Sequence, residues 1–133
     1  MRVVLDTNVI VAAFAARGLC SEVFEICVAE HTIVTSEYIL SEVKEKLIHK
    51  VHLPRSISLA IINYLREITK IFNPEHVDTQ ACRDINDIKI IGTAISGEAR
   101  FIITGDEDLL ILKKYGEVEI VTPREFWVHL KGK

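Results

Sequence analysis

An apolar run that ends at a carboxylate restricts the fold of this chain more than any other stretch. Val3, Val4 and Leu5 form an unbroken apolar run rich in β-branched residues, which is typical of a strand buried on both faces of a sheet. The run stops at Asp6, and a helical pattern follows it. Ligands bind outside the carboxyl ends of the strands in open α/β sheets, so Asp6 is expected in such a crevice. An N-cap for the following helix explains an Asp at this place equally well.

The remaining sequence alternates between strand and helix patterns. Apolar segments at 32–35, 100–104 and 118–121 predict three more strands, and a short fifth one is expected if residues 71–72 also form a strand. Between them, apolar residues recur at helical spacing. Strands that alternate with amphipathic helices predict a three-layer α/β/α sandwich with a central four- or five-stranded parallel sheet. We expect one domain over residues 1–133.

Three local predictions concern the helices. Ser21 is expected to cap the second helix, and a short helix is expected to end at Gly116. The helix that begins at Pro54 is expected to bury a stripe formed by Ile57, Ala60, Ile61, Tyr64, Leu65 and Ile68.

Composition excludes several classes of protein. The 16 basic and 19 acidic residues give a net charge of −3, which provides no overall attraction to nucleic acid. No apolar run approaches the roughly 20 residues of a membrane span, and no leader pattern is present, so we expect a cytoplasmic protein. Cys20, Cys27 and Cys82 form no Cys-x-x-Cys pair, and we expect them to be apolar packing residues.

Acidic residues recur where the chain would face one edge of the predicted sheet. Asp106 follows the strand at 100–104, Asp84 and Asp87 stand where a helix begins, and Glu42 lies on the helix after the second strand. Each aspartate has a simpler explanation as a helix cap or turn residue, as does Asp108. A cluster of carboxylates, however, is unstable without a cation or raised pKa values. Oxygen ligands without His or Cys suit Mg²⁺ or Mn²⁺, which can activate water against a phosphodiester.

Other enzyme classes lack their signatures. The chain has no Gly-x-Gly-x-x-Gly after the first strand and no Gly-x-x-x-x-Gly-Lys, which disfavours dinucleotide and P-loop sites. A phosphoaspartyl phosphatase of the haloacid dehalogenase type would have Asp where Asn8 stands. The chain also has no Gly-x-Ser-x-Gly motif, so its sequence does not indicate a serine hydrolase.

Four segments, in order and at these spacings, resemble those of the PIN domains, which are small Mg²⁺ or Mn²⁺ dependent nucleases. They are Leu5-Asp6-Thr7-Asn8, the 36–47 segment with Glu42, the 87–94 segment with Asp87, and Thr104-Gly105-Asp106 followed by Asp108-Leu109. The late segment 120–126 resembles that of a prokaryotic subgroup of toxins from toxin–antitoxin pairs.

The resemblance implies metal-assisted hydrolysis of RNA, with single-stranded RNA as the favoured substrate. Asp6, Glu42, Asp87 and Asp106 would hold one or two metal ions, and Asp84 and Asp108 are further candidates. Thr7, Asn8 and Thr104 would support the metal ligands. A homodimer and an antitoxin partner are also implied.

A basic stretch offers a path for phosphates, although a solvated helix face explains it equally well. Its candidate RNA-binding residues are Lys44, Lys46, Lys50 and Arg55. Two alternatives to a nuclease remain at this stage. One is a catalytically inactive PIN-like module that binds RNA or protein, and the other is a receiver-like phosphoacceptor, for which only part of the expected residues is present.

Overall fold

The protein, seen here as a computed structural model that describes residues 1–77 and 84–132, is organised around one six-stranded sheet. The strands are β1 (Arg2–Leu5), β2 (Thr32–Thr35), β3 (Thr69–Ile71), β4 (Phe101–Ile103), β5 (Lys114–Tyr115) and β6 (Val118–Val121). Their order across the sheet is β3-β2-β1-β4-β6-β5, and every neighbouring pair is parallel except β5 and β6. The five parallel strands and the three-layer α/β/α architecture confirm the predicted fold class.

Seven helices lie in the part of the chain that the structure describes. They are α1 (Thr7–Ala15), α2 (Leu19–Glu30), α3 (Glu37–His49), α4 (Arg55–Ile68), α5 (Ile85–Ser96), α6 (Glu107–Leu110) and α7 (Pro123–Lys131). Helix α5 packs across β1, β2 and β4, whereas α1 packs on α2 and α3, and α4 packs mainly on α3. Val3, Val4 and Leu5 of β1 are fully buried at the centre of this core, as their apolar run predicts.

The carboxyl ends of β1 and β4 meet at the reversal of the strand order. The chain runs from β1 outward to β2 and β3, and then crosses to β4 on the other side of β1. Leu5 pairs with Ile103, and the Asp6 backbone N–H donates to the Ile103 carbonyl at 2.9 Å. Asp6 and Thr104 are therefore brought side by side at a topological switch point, where open α/β sheets place their ligands.

Helix α5 is held close to the preceding segment at Gly92. The Glu75 backbone N–H donates to the Gly92 carbonyl at 3.0 Å, and a Cβ atom on residue 92 would lie 2.5 Å from the Glu75 carbonyl oxygen. Only glycine fits this approach without a shift of the backbone.

Two helix predictions were wrong. The segment before Gly116 forms strand β5 rather than the end of a helix, and Gly116, at φ 59°, begins the two-residue loop of the β5–β6 hairpin. Helix α2 begins at Leu19, with Gly18 and not Ser21 as its N-cap. The Ser21 hydroxyl instead accepts a hydrogen bond from the Gly18 backbone N–H at 2.9 Å.

The predicted stripe of α4 was also largely wrong. Because α4 packs mainly on one helix, it buries only a narrow seam formed by Ser58, Ile62 and Leu65. Ile57 and Tyr64 remain 49% and 42% exposed.

The cysteine prediction holds for Cys27, which is fully buried, and Cys20 is half-buried. Cys82 lies outside the described residues. None of the described helices is both long and apolar enough to cross a membrane.

Candidate active site

A pocket opens at the switch point between β1 and β4, and five carboxylates line it. Four of them stand where a strand ends or a helix begins, and Glu42 lies within α3. The lining residues are Asp6, Thr7, Asn8, Tyr38, Glu42, Lys46, Asp84, Asn86, Asp87, Ile90 and Asp106. The structure thus places the four principal acids predicted from the sequence, and Asp84, around one pocket.

Asp6 caps α1 and also reaches the pocket, so both explanations of this residue apply. Its Oδ1 accepts a hydrogen bond from the Thr7 backbone N–H at 2.7 Å, and its Oδ2 accepts one from the Thr104 hydroxyl at 2.6 Å. Burial nevertheless raises the pKa of Asp6, because these bonds, which lower it, do not fully replace the lost hydration. The carboxylate is held rigidly, at the edge of the sheet, with 8% of the residue exposed.

Thr104 links two of the acids. Its hydroxyl donates to Asp6 Oδ2, and its Oγ1 accepts the Asp106 backbone N–H at 2.9 Å. Thr104 is fully buried and does not line the pocket itself. The single hydroxyl therefore fixes the position of Asp106 relative to Asp6.

Replacement of Thr104 by Val is expected to lower the free energy of unfolding by about 1–3 kcal/mol, because it leaves a buried carboxylate oxygen and a backbone N–H without their partner. Urea unfolding measures the effect. Thr104→Ser, which keeps the hydroxyl, is the control and should retain most of the stability. A Thr104→Val variant as stable as the wild type would contradict this role of the hydroxyl, whereas a loss in Thr104→Ser would measure only the packing of the methyl group.

Asp87 is the most buried of the acids. It lies in the first turn of α5, with 2% of the residue exposed, and its Oδ2 has no hydrogen-bond partner among the described residues. Burial raises the pKa of Asp87 to about 7, and the neighbouring charges of Asp106 and Asp84 contribute to the rise. A buried carboxylate oxygen without a partner is energetically costly, so this atom is suited to bind a cation.

Two further aspartates are helix caps that also reach the pocket. Asp84 Oδ1 accepts the Asn86 backbone N–H, and Asp106 Oδ1 accepts the Asp108 backbone N–H, both at 2.9 Å. Asp108, the other candidate acid, is exposed and does not line the pocket. The structure therefore separates Asp108 from the other candidates.

The third side of the pocket is helix α3, which supplies Glu42. Tyr38, which was not among the residues predicted from the sequence, lies one turn before Glu42 and lines the same pocket. Burial and the adjacent Glu42 raise the pKa of the Tyr38 hydroxyl to about 12, so the phenol stays neutral. The spacing of four residues between Tyr38 and Glu42 was the signal for a shared helix face.

The start of α3 is fixed by two buried hydroxyls that the sequence analysis also missed as a pair. Ser36 caps the helix by accepting the Ile39 backbone N–H at 3.3 Å. The Ser36 and Thr93 hydroxyls share a hydrogen bond of 3.0 Å, which ties α3 to α5. The helices that carry Glu42 and Asp87 are thereby held together below the pocket.

Of the four candidate RNA-binding residues, only Lys46 lines the pocket. Its Nζ donates to Asn8 Oδ1 at 3.1 Å, which connects α3 to α1. Lys44 is half-buried away from the pocket, and Lys50 and Arg55 are exposed.

The carboxylates of the pocket suit a hard divalent cation, although they do not form a complete coordination site by themselves. Within residues 1–77 and 84–132, no three His, Cys, Asp or Glu side chains stand close enough together to hold a metal ion without adjustment. Mg²⁺ is usually bound by one or two carboxylates together with waters and substrate phosphates, so a complete protein cage is not required. The partnerless Asp87 Oδ2, among four other carboxylates, meets that requirement.

The model of the PIN domain matches residues 2–108, which is most of the chain, so the chain belongs to the PIN domain family. PIN-domain nucleases generally use divalent metal ions. The comparison with curated proteins finds no match.

Three solved structures share the fold at low sequence identity. VapBC-1 from nontypeable Haemophilus influenzae matches with a TM-score of 0.68 and 18% identity, over 93% of this chain and 99% of that chain. VapBC2 from Rickettsia felis, in a structure with a DNA fragment from the VapBC2 promoter, has a TM-score of 0.63 and 15% identity. The match covers 90% of this chain and 97% of that chain. FitAcB from Neisseria gonorrhoeae has a TM-score of 0.58 and 14% identity, over 92% of this chain and 98% of that chain.

Proposed function

We propose that this protein is a ribonuclease that hydrolyses phosphodiester bonds of single-stranded RNA with Mg²⁺ or Mn²⁺. One observation carries the proposal: Asp6, Glu42, Asp87 and Asp106 line one pocket, and a buried oxygen of Asp87 lacks a partner among the described residues. Membership of the PIN domain family supports a nuclease. The pocket lies at the carboxyl ends of β1 and β4, and single-stranded RNA suits such a site because its phosphates and bases are exposed.

The roles of the acids follow from their environments. Asp6 and Asp106, linked through Thr104, and Asp87 on the facing helix would hold the metal, with Glu42 closing the third side of the pocket. A bound divalent cation supplies Lewis acidity to the phosphoryl oxygens and lowers the pKa of a nearby water. Thr104 keeps Asp6 oriented, Thr7 supplies its backbone N–H to the same carboxylate, and Asn8 holds Lys46. Asp84 stands at the rim as a further acceptor.

We also propose that the chain acts as one domain, in the cytoplasm, as the toxin of a toxin–antitoxin pair. Its fold neighbours are VapBC and FitAB complexes, which supports an antitoxin protein as its partner. Copies of the chain are proposed to form a homodimer. Light scattering on the purified protein tests the oligomeric state, and a monomer at micromolar concentration would contradict it.

The nuclease is tested by cleavage of a labelled single-stranded RNA with Mn²⁺ or Mg²⁺. The wild type should cut, chelator should stop it, and Asp6→Asn should lose at least about a hundredfold in rate. Glu107→Gln, an exposed neighbour of the site that does not line the pocket, is the matched control and should cut like the wild type. Cutting that survives Asp6→Asn points to a contaminating nuclease. No cutting, together with no metal binding by calorimetry, would instead favour a non-catalytic binding module.

A further inference from the structure

The pocket also contains a positively charged side chain. Among the described residues, Lys46 is the only Lys or Arg that lines the pocket, beside five carboxylates. It projects from α3 one turn after Glu42, and the residue is half-buried. A lysine so close to carboxylates would ordinarily form an ion pair with one of them.

Lys46 forms no salt bridge within the described part of the chain, where the pairs are His49 with Glu45 and Arg66 with Glu37. Its Nζ donates to the neutral amide oxygen Asn8 Oδ1 at 3.1 Å instead. An ammonium group has three N–H donors, so two are left over after this bond. Asn8 therefore fixes the position of the ammonium group without neutralising its charge.

We infer that Lys46 binds a non-bridging oxygen of the scissile phosphodiester, from the side of the pocket formed by α1 and α3. This inference rests on the proposed nuclease function. A phosphodiester must enter a pocket whose walls are acidic, and its negative charge is repelled by every carboxylate that does not hold a metal. A positioned ammonium group offsets that repulsion and donates charge-assisted hydrogen bonds to phosphate oxygens. Asn8 keeps the flexible lysine side chain oriented before substrate arrives.

The inference distinguishes Lys46 from a residue that only tracks the RNA backbone. A group that contacts the scissile phosphate matters for any phosphodiester, however small. A group that contacts other phosphates matters only for longer substrates. The test therefore compares a labelled single-stranded RNA with bis(4-nitrophenyl) phosphate, which has one phosphodiester and no flanking nucleotides, both with Mn²⁺.

Lys46→Met should lower kcat/KM by about 10- to 100-fold on both substrates, the range expected for a lost charge-assisted hydrogen bond. Lys46→Arg should recover part of the activity on both, since it keeps the charge. Lys89→Met is the matched control, because it removes the same charge from α5 at a side chain that lines a different depression, and it should stay within about twofold of the wild type. Mn²⁺ affinity by calorimetry should be unchanged or higher in Lys46→Met, because a positive charge has gone.

The inference is overturned if the activity of Lys46→Met on both substrates stays within about twofold of the wild type. Two further results would also overturn it. One is a loss confined to RNA, which would move Lys46 to a phosphate outside the cleavage site. The other is a parallel loss of Mn²⁺ affinity or of thermal stability, which would show that Lys46 acts through the fold.

A binding measurement separates this inference from the nuclease proposal. If the wild type cuts neither substrate, the nuclease proposal fails. Binding of a dinucleoside methylenephosphonate, whose P–C bond cannot be hydrolysed, then tests whether Lys46 binds the phosphodiester. Weaker binding by Lys46→Met than by Lys89→Met supports the inference, and equal binding contradicts it.

Discussion

Replacement of Asp87 by Asn should reduce the rate of RNA cleavage by about a thousandfold, the largest effect expected of any single substitution in this protein. Asp87 Oδ2 is buried without a partner among the described residues, and an amide in its place removes both the negative charge and one acceptor oxygen. The remaining carboxylates would then hold a divalent cation more weakly. RNA cleavage under single-turnover conditions and Mn²⁺ affinity by calorimetry measure the two consequences.

The control for this variant is Glu107→Gln, which removes one charge from the exposed start of α6. It should match the wild type in both measurements. If Asp87→Asn cut RNA within tenfold of the wild type, Asp87 would not hold the metal. A loss of cleavage with unchanged Mn²⁺ affinity would assign Asp87 a role in positioning the substrate.

The same substitution should make the metal-free protein more stable at pH 8, by on the order of 1 to 4 kcal/mol. The pKa of Asp87 is raised from 3.8 to about 7 in the folded protein, chiefly by burial. Between pH 4 and 7 the folded state therefore keeps a proton that the unfolded state has released. The stability of the wild type must fall as the pH rises through this window, with a slope of at most about 1.4 kcal/mol per pH unit from this one group.

The amide side chain of the Asp87→Asn variant has no proton to lose, so the stability of the variant should lack this component. Denaturant unfolding with chelator at pH 5 and pH 8 measures it, and the difference between wild type and variant removes the contribution of the histidines. Added Mg²⁺ should stabilise the wild type more at pH 8 than at pH 5, because it binds the ionised carboxylates. A variant that is no more stable than the wild type at pH 8 would show that the carboxylate is well solvated.

Much of the site was accessible from the sequence because it depends on where strands and helices begin and end. Asp6 and Asp106 closely follow buried strands, and Asp87 stands in the first turn of a helix. These positions are readable from apolar patterns alone, and parallel strands then bring them to one edge. Glu42 was predicted on a helix face, which the period of the helix specifies.

The contacts between these residues could not be read from the sequence, because they depend on register. The hydrogen bond from Thr104 to Asp6 joins residues 98 positions apart and exists because Leu5 pairs with Ile103. The bond from Lys46 to Asn8 likewise depends on how α3 packs on α1. A shift of one residue in the pairing of β1 with β4, or a different packing of α3 on α1, would bring different atoms together.

The errors have physical causes of the same kind. Helix α4 has enough apolar residues for a broad buried stripe, but the number of faces it buries is set by its neighbours, and it packs mainly on α3. Strand β5 was missed because its two residues are too short for a strand pattern. Gly116 with Glu117 between Tyr115 and Val118 was nevertheless a readable sign of a two-residue hairpin loop.

The pairing of β1 with β4 also determines when the pocket can be completed during synthesis. Asp6 is made first, but its hydroxyl partner Thr104 and the acid Asp106 are translated about a hundred residues later. Contacts of such long sequence separation form late, after the intervening loop has been closed. A nascent chain that has exposed β1, β2 and their helices lacks half of the pocket. If the protein cleaves RNA as proposed, the messenger that encodes it would meet no complete site until most of the chain has emerged from the ribosome.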